Sequence, residues 1–351
     1  MPTSPSVAVI ADDLTGALDA ILPFASMGLR CVVATSPADL AVALRHGAEV
    51  IAVSTNSREL SGPQAAEAAS TAAKSLQRVA TLFKKIDSRL KGHIGAEVRA
   101  VARAMGMQRV LICPAIPQMG RFVKLGRLHG HGIASPLAVA DCLSGQGLEI
   151  AAPDAVTDAD IDLILASVPP RSLLVGASGL SAGLARRMAR SPGVPVRLPL
   201  SRPVAFVIGS RDPITLAQVD HLRQSQPEAS FVPAPNGVIG PFAPSDVLIL
   251  QATPGLHAAA PDAVTRALAN GLTLGLDRAT NLVLTGGETA AAVLAALGLG
   301  VLEVVGEALP GVPVCREAGR VDAPLILTKS GGFGGADTLS RLVAALPKEV
   351  D

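Results

Sequence analysis

Short apolar runs rich in β-branched residues alternate along the whole chain with longer segments rich in alanine and leucine. Such short runs, bounded by turn residues, are typical of strands buried on both faces, and the longer segments are typical of the helices that connect parallel strands. The alternation therefore predicts an α/β fold with mostly parallel sheets, each flanked by helices to give three layers. A chain of 351 residues is long enough for two such domains with separate cores.

The alternation breaks in one place, the proline-rich segment 190–203, which we interpret as a linker. The predicted domains are therefore residues 1–195 and 203–351. The predicted strands are Val7–Ile10, Cys31–Ala34, Val50–Ser54, Leu82–Ile86, Val110–Cys113, Ser172–Val175, Val204–Ile208, Val247–Leu250, Leu282–Thr285, Leu302–Val305 and Leu325–Thr328. The predicted helices are Gly62–Arg78, Ile94–Met105, Asp158–Ser167, Ser181–Ala189, Ile214–Arg223, Asp262–Asn270, Thr289–Leu297 and Ala336–Leu346.

Composition excludes several classes of partner. The 30 basic side chains nearly balance the 29 acidic ones, so no overall positive field attracts nucleic acid or an anionic membrane. Aromatic residues make up 2% of the chain, which leaves almost no platform for stacking bases. The four cysteines are far apart and form no CxxC pair, as expected of buried thiols in a reducing compartment. We therefore expect a cytoplasmic protein, without a targeting or membrane segment, that acts on small molecules.

The first polar cluster follows the first predicted strand, where ligands of open α/β sheets bind. Asp12 and Asp13 are adjacent carboxylates, and Thr15 and Gly16 follow them. This combination can orient a polyol, accept a proton or hold Mg²⁺. The alternative is that Asp13 caps the next helix and that Asp12 is merely solvated.

Two further clusters follow the predicted strands that end at Ile86 and Cys113. Lysine, arginine and backbone N–H groups at such strand ends suit a carboxylate or phosphate, so we predict an anion site there. The alternative is an ordinary solvated charged surface. The candidate binding residues are Lys85, Asp87, Ser88, Lys91 and Arg121.

Glycine-rich turns in the second half of the chain join predicted strands to predicted helices. Backbone N–H groups at such a turn and at the helix N-terminus favour a phosphate group. Because neither the Walker A motif nor GxGxxG occurs in the chain, we predict a nucleotide site of another type. The candidate residues are Ser210, Gly286, Gly287, Glu288, Thr289, Lys329, Ser330, Gly331 and Gly332.

Two other motifs favour ordinary structural interpretations. His129 and His131 are only two residues apart and have no nearby metal-binding partner in sequence, so we interpret them as loop histidines. The segment 179–183 matches the G-x-S-x-G pattern of serine hydrolases around Ser181. That serine does not directly follow a predicted strand, as a nucleophile must in that fold, so we disfavour a hydrolase.

Considered together, the clusters resemble the four-carbon acid sugar kinase family, and they occur in the family's order over nearly the whole chain. The resemblance rests on residues 11–19, 85–95, 113–121, 176–185, 209–218, 286–289 and 329–334. The chain departs from the family pattern K-x-D-S-T-x-R-G-N at Arg89, Lys91 and His93, and Glu288 replaces the more usual Asp. The segment 135–147 is also short for the family. These departures concern mainly the choice of sugar acid.

The resemblance implies an N-terminal sugar-acid-binding domain, a C-terminal nucleotide-binding domain and an active site in the cleft between them. The implied reaction transfers the γ-phosphoryl group of ATP, with Mg²⁺, to the terminal hydroxyl of threonate, erythronate or 3-oxo-tetronate. Asp12 is our choice for the base, with Asp13 as the alternative, and the metal ligands stay open.

Two competing hypotheses are a non-catalytic sensor of the same fold and a kinase for another small hydroxy acid. A dehydrogenase is disfavoured by the missing dinucleotide motif. A homodimer is expected.

Overall fold

The computed structural model describes residues 4–145, 147–189, 201–243, 245–275 and 280–345. The chain divides into two compact units, Met1–Pro195 and Val196–Asp351, and each contains a mostly parallel sheet.

The main sheet of the first unit is parallel throughout. Its strands lie in the order β2, β3, β1, β4, β10, β5, β9, and three other strands, β6 to β8, form a small antiparallel sheet. The strands are β1 (Val7–Ala11), β2 (Cys31–Ala34), β3 (Val50–Ser54), β4 (Thr81–Lys85), β5 (Arg109–Cys113), β6 (Arg121–Lys124), β7 (Arg127–Gly130), β8 (Leu137–Ala138), β9 (Glu149–Ala151) and β10 (Ser172–Gly176). The helices are α1 (Leu14–Ser26), α2 (Leu40–Arg45), α3 (Gly62–Ser75), α4 (Ile94–Met105), α5 (Asp158–Ala166) and α6 (Ser178–Met188).

The sheet of the second unit is parallel over the order β12, β13, β11, β14, β17 and continues through β16 and β15, which pair antiparallel. The strands are β11 (Val204–Ile208), β12 (Ser230–Pro235), β13 (Val247–Thr253), β14 (Asn281–Thr285), β15 (Val301–Leu309), β16 (Val312–Glu317) and β17 (Ile326–Lys329). The helices are α7 (Pro213–Ser225), α8 (Pro261–Gly275), α9 (Gly287–Ala296) and α10 (Thr338–Ala344).

The central strands are apolar because helices cover both faces of each sheet. Every residue of β1, β3, β11 and β14 is buried. Most connections in both units leave the carboxyl ends of the parallel strands and lead into helices, whereas β5 leads to the small antiparallel sheet and β12 leads to β13. All the polar clusters singled out from the sequence therefore lie at strand ends.

The prediction of an α/β fold with two domains and mostly parallel sheets is confirmed. Every predicted strand and helix has a counterpart, although many boundaries differ by a few residues and α6 starts at Ser178 rather than Ser181. Leu346, at the end of the last predicted helix, and most of the predicted linker lie outside the described residues. The domain boundaries and the placement of the active site between the domains stay predictions.

Helix α1 is the largest element that the sequence analysis missed. Most of its residues are buried, including leucine, isoleucine and phenylalanine side chains on several sides of the helix. A helix that is apolar around most of its circumference lacks the polar face that makes a helical repeat visible. Pro23, inside the helix, weakens the signal further.

None of the helices in the described part of the chain combines the length and the apolar character that spanning a bilayer requires.

Candidate functional site

A guanidinium group holds the two carboxylates that follow β1. Arg58 donates to both oxygens of Asp12, from Nε at 2.8 Å and from Nη2 at 3.0 Å, and its Nη1 lies 2.8 Å from Asp13 Oδ2. Such bidentate pairing fixes the plane of the carboxylate as well as its position. The Asp12 side chain is only 5% exposed, so it is not the solvated carboxylate of the alternative hypothesis.

Asp13 has a structural task as the N-cap of α1. Its Oδ1 accepts a hydrogen bond from the Gly16 N–H at 2.7 Å, and its Oδ2 accepts one from the Thr15 hydroxyl at 3.0 Å. The capping alternative is therefore correct for Asp13. Asp13 thus has a helix-capping task that Asp12 does not have, which makes Asp12 the better candidate for chemistry.

Electrostatics keep Asp12 ionised. Burial by itself raises the pKa of Asp12, but Lys84, the hydrogen bonds and charge of Arg58, and Lys85 outweigh that effect and hold the pKa below its usual value. The same contacts act on the other partner. Burial opposes the charge of Arg58, but Asp12, Asp13 and Asp87 raise its pKa above the ordinary value.

Sequence analysis missed Arg58. It follows β3 within a run of polar residues, Thr55, Asn56 and Ser57, so its position at a strand end was the available signal. β3 lies beside β1 in the sheet, and the loops after neighbouring parallel strands meet at the same edge.

A buried ion pair lies close to this carboxylate site. Lys84 Nζ is 2.9 Å from Glu97 Oε2, and the two side chains are 0% and 3% exposed. Ser57 Oγ donates to the other oxygen of Glu97, and Lys84 also donates to the backbone oxygen of Lys85 at 2.9 Å. Because β4, α4 and the loop after β3 each contribute a residue, this network ties together the elements around Asp12.

Asp87 shapes the loop after β4. Its Oδ1 accepts hydrogen bonds from the N–H groups of Arg89 at 2.8 Å and Lys91 at 3.3 Å. The loop reaches Gly92 with φ +92°, a conformation that favours glycine, and a Cβ there would be 3.4 Å from Asp12 Oδ2. The Asp87 loop therefore lies directly against the Asp12 carboxylate.

Arg121 reaches the same loop from the segment after β5. Its Nη1 donates to Ser88 Oγ at 2.6 Å and its Nε to the His131 oxygen at 2.8 Å. Burial and the charge of Arg89 lower the pKa of Arg121, with Asp87 and Asp19 acting in the opposite direction. The structure thus brings together Arg121 and Ser88, two of the residues predicted to form the anion site.

The two predicted lysines differ. The buried Lys85 donates to the Ile86 oxygen at 3.1 Å and lies 3.6 Å from Asp19 Oδ2, so its ammonium already has partners. The Lys91 side chain is exposed, and no hydrogen bond or ion pair engages it within the described residues. Lys91 is therefore the lysine of this cluster that is available to a ligand.

The second unit contains a cavity of about 620 Å³ at the ends of its parallel strands, within the usual range for small-molecule sites. Five of the predicted nucleotide-site residues line it, namely Ser210, Gly286, Gly287, Glu288 and Thr289. The remaining lining residues are Gly209, Arg211, Asn236, Ala252, Thr253, Pro254, Gly255, Leu256, His257, Ala258, Ala259, Pro261, Val264 and Thr265.

The N-terminus of α9 opens onto this cavity. Gly286 has φ +91° and is the N-cap of the helix, and its N–H donates to the Lys329 oxygen at 2.9 Å. The following N–H groups, of Gly287, Glu288 and Thr289, belong to the first turn, where a helix provides no partners of its own. Gly209 packs so closely on Thr289 that a Cβ would overlap the threonine hydroxyl. The cavity thus presents free backbone donors to an anionic ligand.

Lys329 does not point into the cavity. It is 1% exposed, and its Nζ donates to the oxygens of Ser330 at 2.8 Å, Gly331 at 3.1 Å and Phe333 at 3.1 Å. Burial lowers the pKa of Lys329 to about 8, with Asp212 acting in the opposite direction. The side chain therefore holds the glycine-rich loop together from inside.

Helix α7 supports the same loop. Thr215 donates to the Gly331 oxygen at 2.6 Å, and Gln218 Nε2 donates to the oxygens of Phe333 at 2.9 Å and Gly335 at 2.8 Å. The predicted loop residues Lys329, Ser330, Gly331 and Gly332 do not line the cavity, but a Cβ on Gly331 would overlap the Ser210 hydroxyl, which does line it. Direct contact between these loop residues and a nucleotide stays a prediction.

The segment 252–259 was missed as a cavity wall. It follows β13, and Asn236 holds it in place by donating to the His257 oxygen at 2.8 Å and accepting from the Gly255 N–H at 3.1 Å. Its side chains are mostly small or apolar, so the segment has none of the charged residues that drew attention to the other loops. Leu256 is fully exposed in the cavity lining.

The alternative motifs have ordinary structural roles. Ser181 lies within α6 and donates to the Ser178 oxygen at 2.9 Å, so it is not at a strand end as a hydrolase nucleophile would be. His129 stacks on Phe122 with ring centroids 5.4 Å apart. Over the described ranges, no group of three or more histidine, cysteine or acidic side chains is arranged to hold a metal ion.

Comparison with known proteins assigns a class to each unit. A family model for a sugar-binding N-terminal domain matches residues 7–138, and one for a nucleotide-binding C-terminal domain matches residues 240–339. A 3-oxo-tetronate kinase from Methylobacterium radiotolerans is 30% identical, over 95% of this chain and 97% of the relative. A D-threonate kinase from Bordetella bronchiseptica is 30% identical, over 97% of this chain and 98% of the relative.

Two solved structures share the fold. A Salmonella typhimurium protein has a TM-score of 0.74 at 21% identity, covering 95% of this chain and 98% of its own. A Haemophilus influenzae protein has a TM-score of 0.69 at 21% identity, covering 96% and 99%.

The buried Lys84–Glu97 pair generates a stability prediction. Lys84→Met or Glu97→Leu alone leaves one buried charge without its partner, and we expect each to lower the free energy of unfolding by about 3–5 kcal/mol. The double variant Lys84→Met/Glu97→Leu removes both charges and should lose clearly less than the sum of the two single losses. Urea unfolding measures all three.

The exposed pair of Arg109 and Glu149, 3.1 Å apart, supplies the control, because Arg109→Met should cost about 1 kcal/mol or less. Additive losses in the double variant would contradict the coupling of Lys84 and Glu97.

Proposed function

The chain belongs to the four-carbon acid sugar kinase family, and we propose that it transfers the γ-phosphoryl group of ATP to the terminal hydroxyl of a four-carbon sugar acid in sugar-acid catabolism. Its kinase relatives make it a phosphotransferase that acts on an alcohol group. Threonate, erythronate and 3-oxo-tetronate are the proposed acids. The main supporting observation is that a cluster of fixed charges at Asp12 and Arg121 lies in the sugar-binding unit, while a cavity with free N–H donors lies in the nucleotide-binding unit.

In this proposal the first unit binds and orients the acid. Arg121, held by Ser88, and the exposed Lys91 attract the carboxylate of the acid. Asp87, which fixes its own loop, and Thr15 lie near the hydroxyl groups. Holding one hydroxyl at a fixed distance from its phosphoryl donor is the main catalytic demand in a kinase.

We assign the proton acceptor role to Asp12. Its lowered pKa keeps it ionised at neutral pH. Both oxygens accept from Arg58, but each carboxylate oxygen has a second lone pair that can accept the proton of the attacking hydroxyl. A low pKa makes a weak base, but in a loose phosphoryl-transfer transition state the nucleophile has bonded little, so a strong base is not required. Asp13 and Arg58 then act by positioning Asp12.

The second unit holds the nucleotide. The N–H groups at the start of α9 fit phosphate oxygens, and the wall formed by residues 252–259 provides apolar surface for the remainder of the molecule. Bound Mg²⁺ would supply positive charge that shields the transferring group. Glu288 is the exposed carboxylate of the cavity lining that fits one Mg²⁺ contact. A cytoplasmic location and a homodimer stay predictions.

The direct test uses the purified protein with Mg-ATP and a panel of three- to five-carbon sugar acids, with ADP release as the readout. We expect ADP release with at least one four-carbon acid and a phosphate ester at its terminal oxygen. Binding of an acid without ADP release would instead support the sensor hypothesis.

Asp12→Asn tests the chemical step. Asn keeps the size of the side chain but removes the charge, so we expect kcat to fall by about 10²–10⁴-fold with little change in either KM. Asp13→Asn is the matched variant, and it should have a smaller effect because Asn also caps helices. Near-normal kcat in Asp12→Asn at saturating acid and Mg-ATP would contradict the assignment.

Leu256→Asp tests the nucleotide cavity. The side chain is fully exposed, so the fold should tolerate the change, but a negative charge in the cavity repels the triphosphate. We expect at least a ten-fold weaker affinity for ATP by calorimetry and an unchanged KM for the acid. Leu163→Asp, at a 70% exposed leucine of the first unit, is the control and should bind ATP normally. Unchanged ATP affinity in Leu256→Asp would place the nucleotide elsewhere.

Lys329 predicts a pH dependence. Its pKa of about 8 means that the ammonium loses a proton as the pH rises through 8. The neutral amine then has two N–H donors for three loop carbonyls, and its hydrogen bonds are no longer assisted by charge. KM for ATP in the wild type should therefore rise above pH 8. Lys329→Met lacks the donor at every pH, so its KM should be high and flat across the same range. Lys74→Met, at an exposed lysine of α3, is the control and should show the same dependence of KM for ATP on pH as the wild type. If KM for ATP in the wild type does not change with pH, the role of Lys329 is contradicted.

A further inference from the structure

Two arginine side chains converge at one point of the acid site. Arg121 Nη2 lies 3.5 Å, and Arg89 Cδ 3.8 Å, from the position that a Cβ on Gly132 would occupy. The Arg121 guanidinium is fixed by Ser88 and by the His131 oxygen. Arg89 is exposed and lies in the loop that Asp87 shapes through backbone N–H groups.

The two guanidinium groups repel each other. No carboxylate within 4 Å neutralises either side chain in the described part of the chain, although Asp87 and Asp19 lie near enough to act on Arg121. Asp87 already accepts from two backbone N–H groups, and Asp19 faces Lys85 at 3.6 Å. Like charges held together without a counter-charge favour an anionic ligand that contacts both.

Arg89 contributes its backbone N–H to the Asp87 loop, and no hydrogen bond or ion pair engages its side chain within the described residues. An arginine differs from a threonine in offering charged donors in a planar fork that matches a carboxylate.

We propose that Arg89 and Arg121 together clamp the carboxylate of the sugar acid, and that Arg89 determines how strongly this kinase prefers a charged acid to an uncharged polyol. The inference rests on the proposed function and deepens it. It adds to the acid site a specificity-determining residue that takes no part in the proton transfer.

The experiment measures Arg89→Thr in two ways, by calorimetric binding of the acid without nucleotide and by steady-state kinetics with Mg-ATP. Loss of a charge-assisted contact should weaken acid binding and raise the KM for the acid by about ten- to a hundred-fold. KM for ATP and kcat should change little. Arg89→Lys keeps the charge and should recover part of the loss. Arg103→Thr, at an exposed arginine of α4, is the matched control and should behave as the wild type does.

The outcomes separate the two proposals. If the wild type binds and phosphorylates an acid and Arg89→Thr does so equally well, Arg89 is not part of the clamp and the kinase proposal stands. If Arg89→Thr raises KM for ATP instead, Arg89 belongs to another site and the inference is wrong. If the wild type neither binds nor phosphorylates any acid of the panel, the proposed function fails and the clamp fails with it.

Discussion

Lys84 and Glu97 face each other across 2.9 Å in the interior of the first unit, and water reaches almost none of either side chain. Burying two charges is costly unless further hydrogen bonds stabilise them, and here Ser57 donates to Glu97 and the Lys85 oxygen accepts from Lys84. The charge of Lys84 also helps to keep Asp12 ionised. The position of the candidate acid site therefore depends on this buried ion pair, since the pair fixes the strand, the helix and the loop from which that candidate site is built.

Lysines recur at the strand ends of both units, and each binds the loop that follows it. Lys84 and Lys85 donate to the oxygens of the next residues, and Lys329 donates to three oxygens of its glycine-rich loop. A loop at a strand end must satisfy carbonyl groups that no strand neighbour pairs, and a buried ammonium with three donors can satisfy several of them at once. In both units, these buried lysines stabilise the backbone of the loop that follows the strand.

The fold and the positions of the strand-end residues could be predicted from the sequence, but the directions of the lysine side chains could not. The alternation of apolar runs predicted the sheets because burial on both faces leaves a mark on every central strand. The rule that ligands bind at the carboxyl ends of parallel strands then drew attention to Asp12, Asp87, Arg121 and the turn at Gly286.

Sequence could not distinguish Lys91, which is exposed, from Lys85 and Lys329, which are turned inward, because a side chain's direction depends on packing. Arg58 was missed because its pairing with Asp12 joins residues far apart in the chain. The wall at 252–259 was missed because it consists of small and apolar residues.

The two candidate sites also differ in how freely they can change during evolution. The cavity of the second unit presents backbone N–H groups, and a Cβ at Gly209 would overlap Thr289 in the first turn of α9, so a substitution at Gly209 disturbs the packing around these donors. The anion-binding part of the first unit presents side chains on a loop whose shape is fixed by Asp87 through backbone N–H groups. Arg89 and Lys91 contribute only those N–H groups to the loop, so their side chains can be replaced without altering its path. We therefore expect differences in substrate among kinases of this fold at these loop side chains.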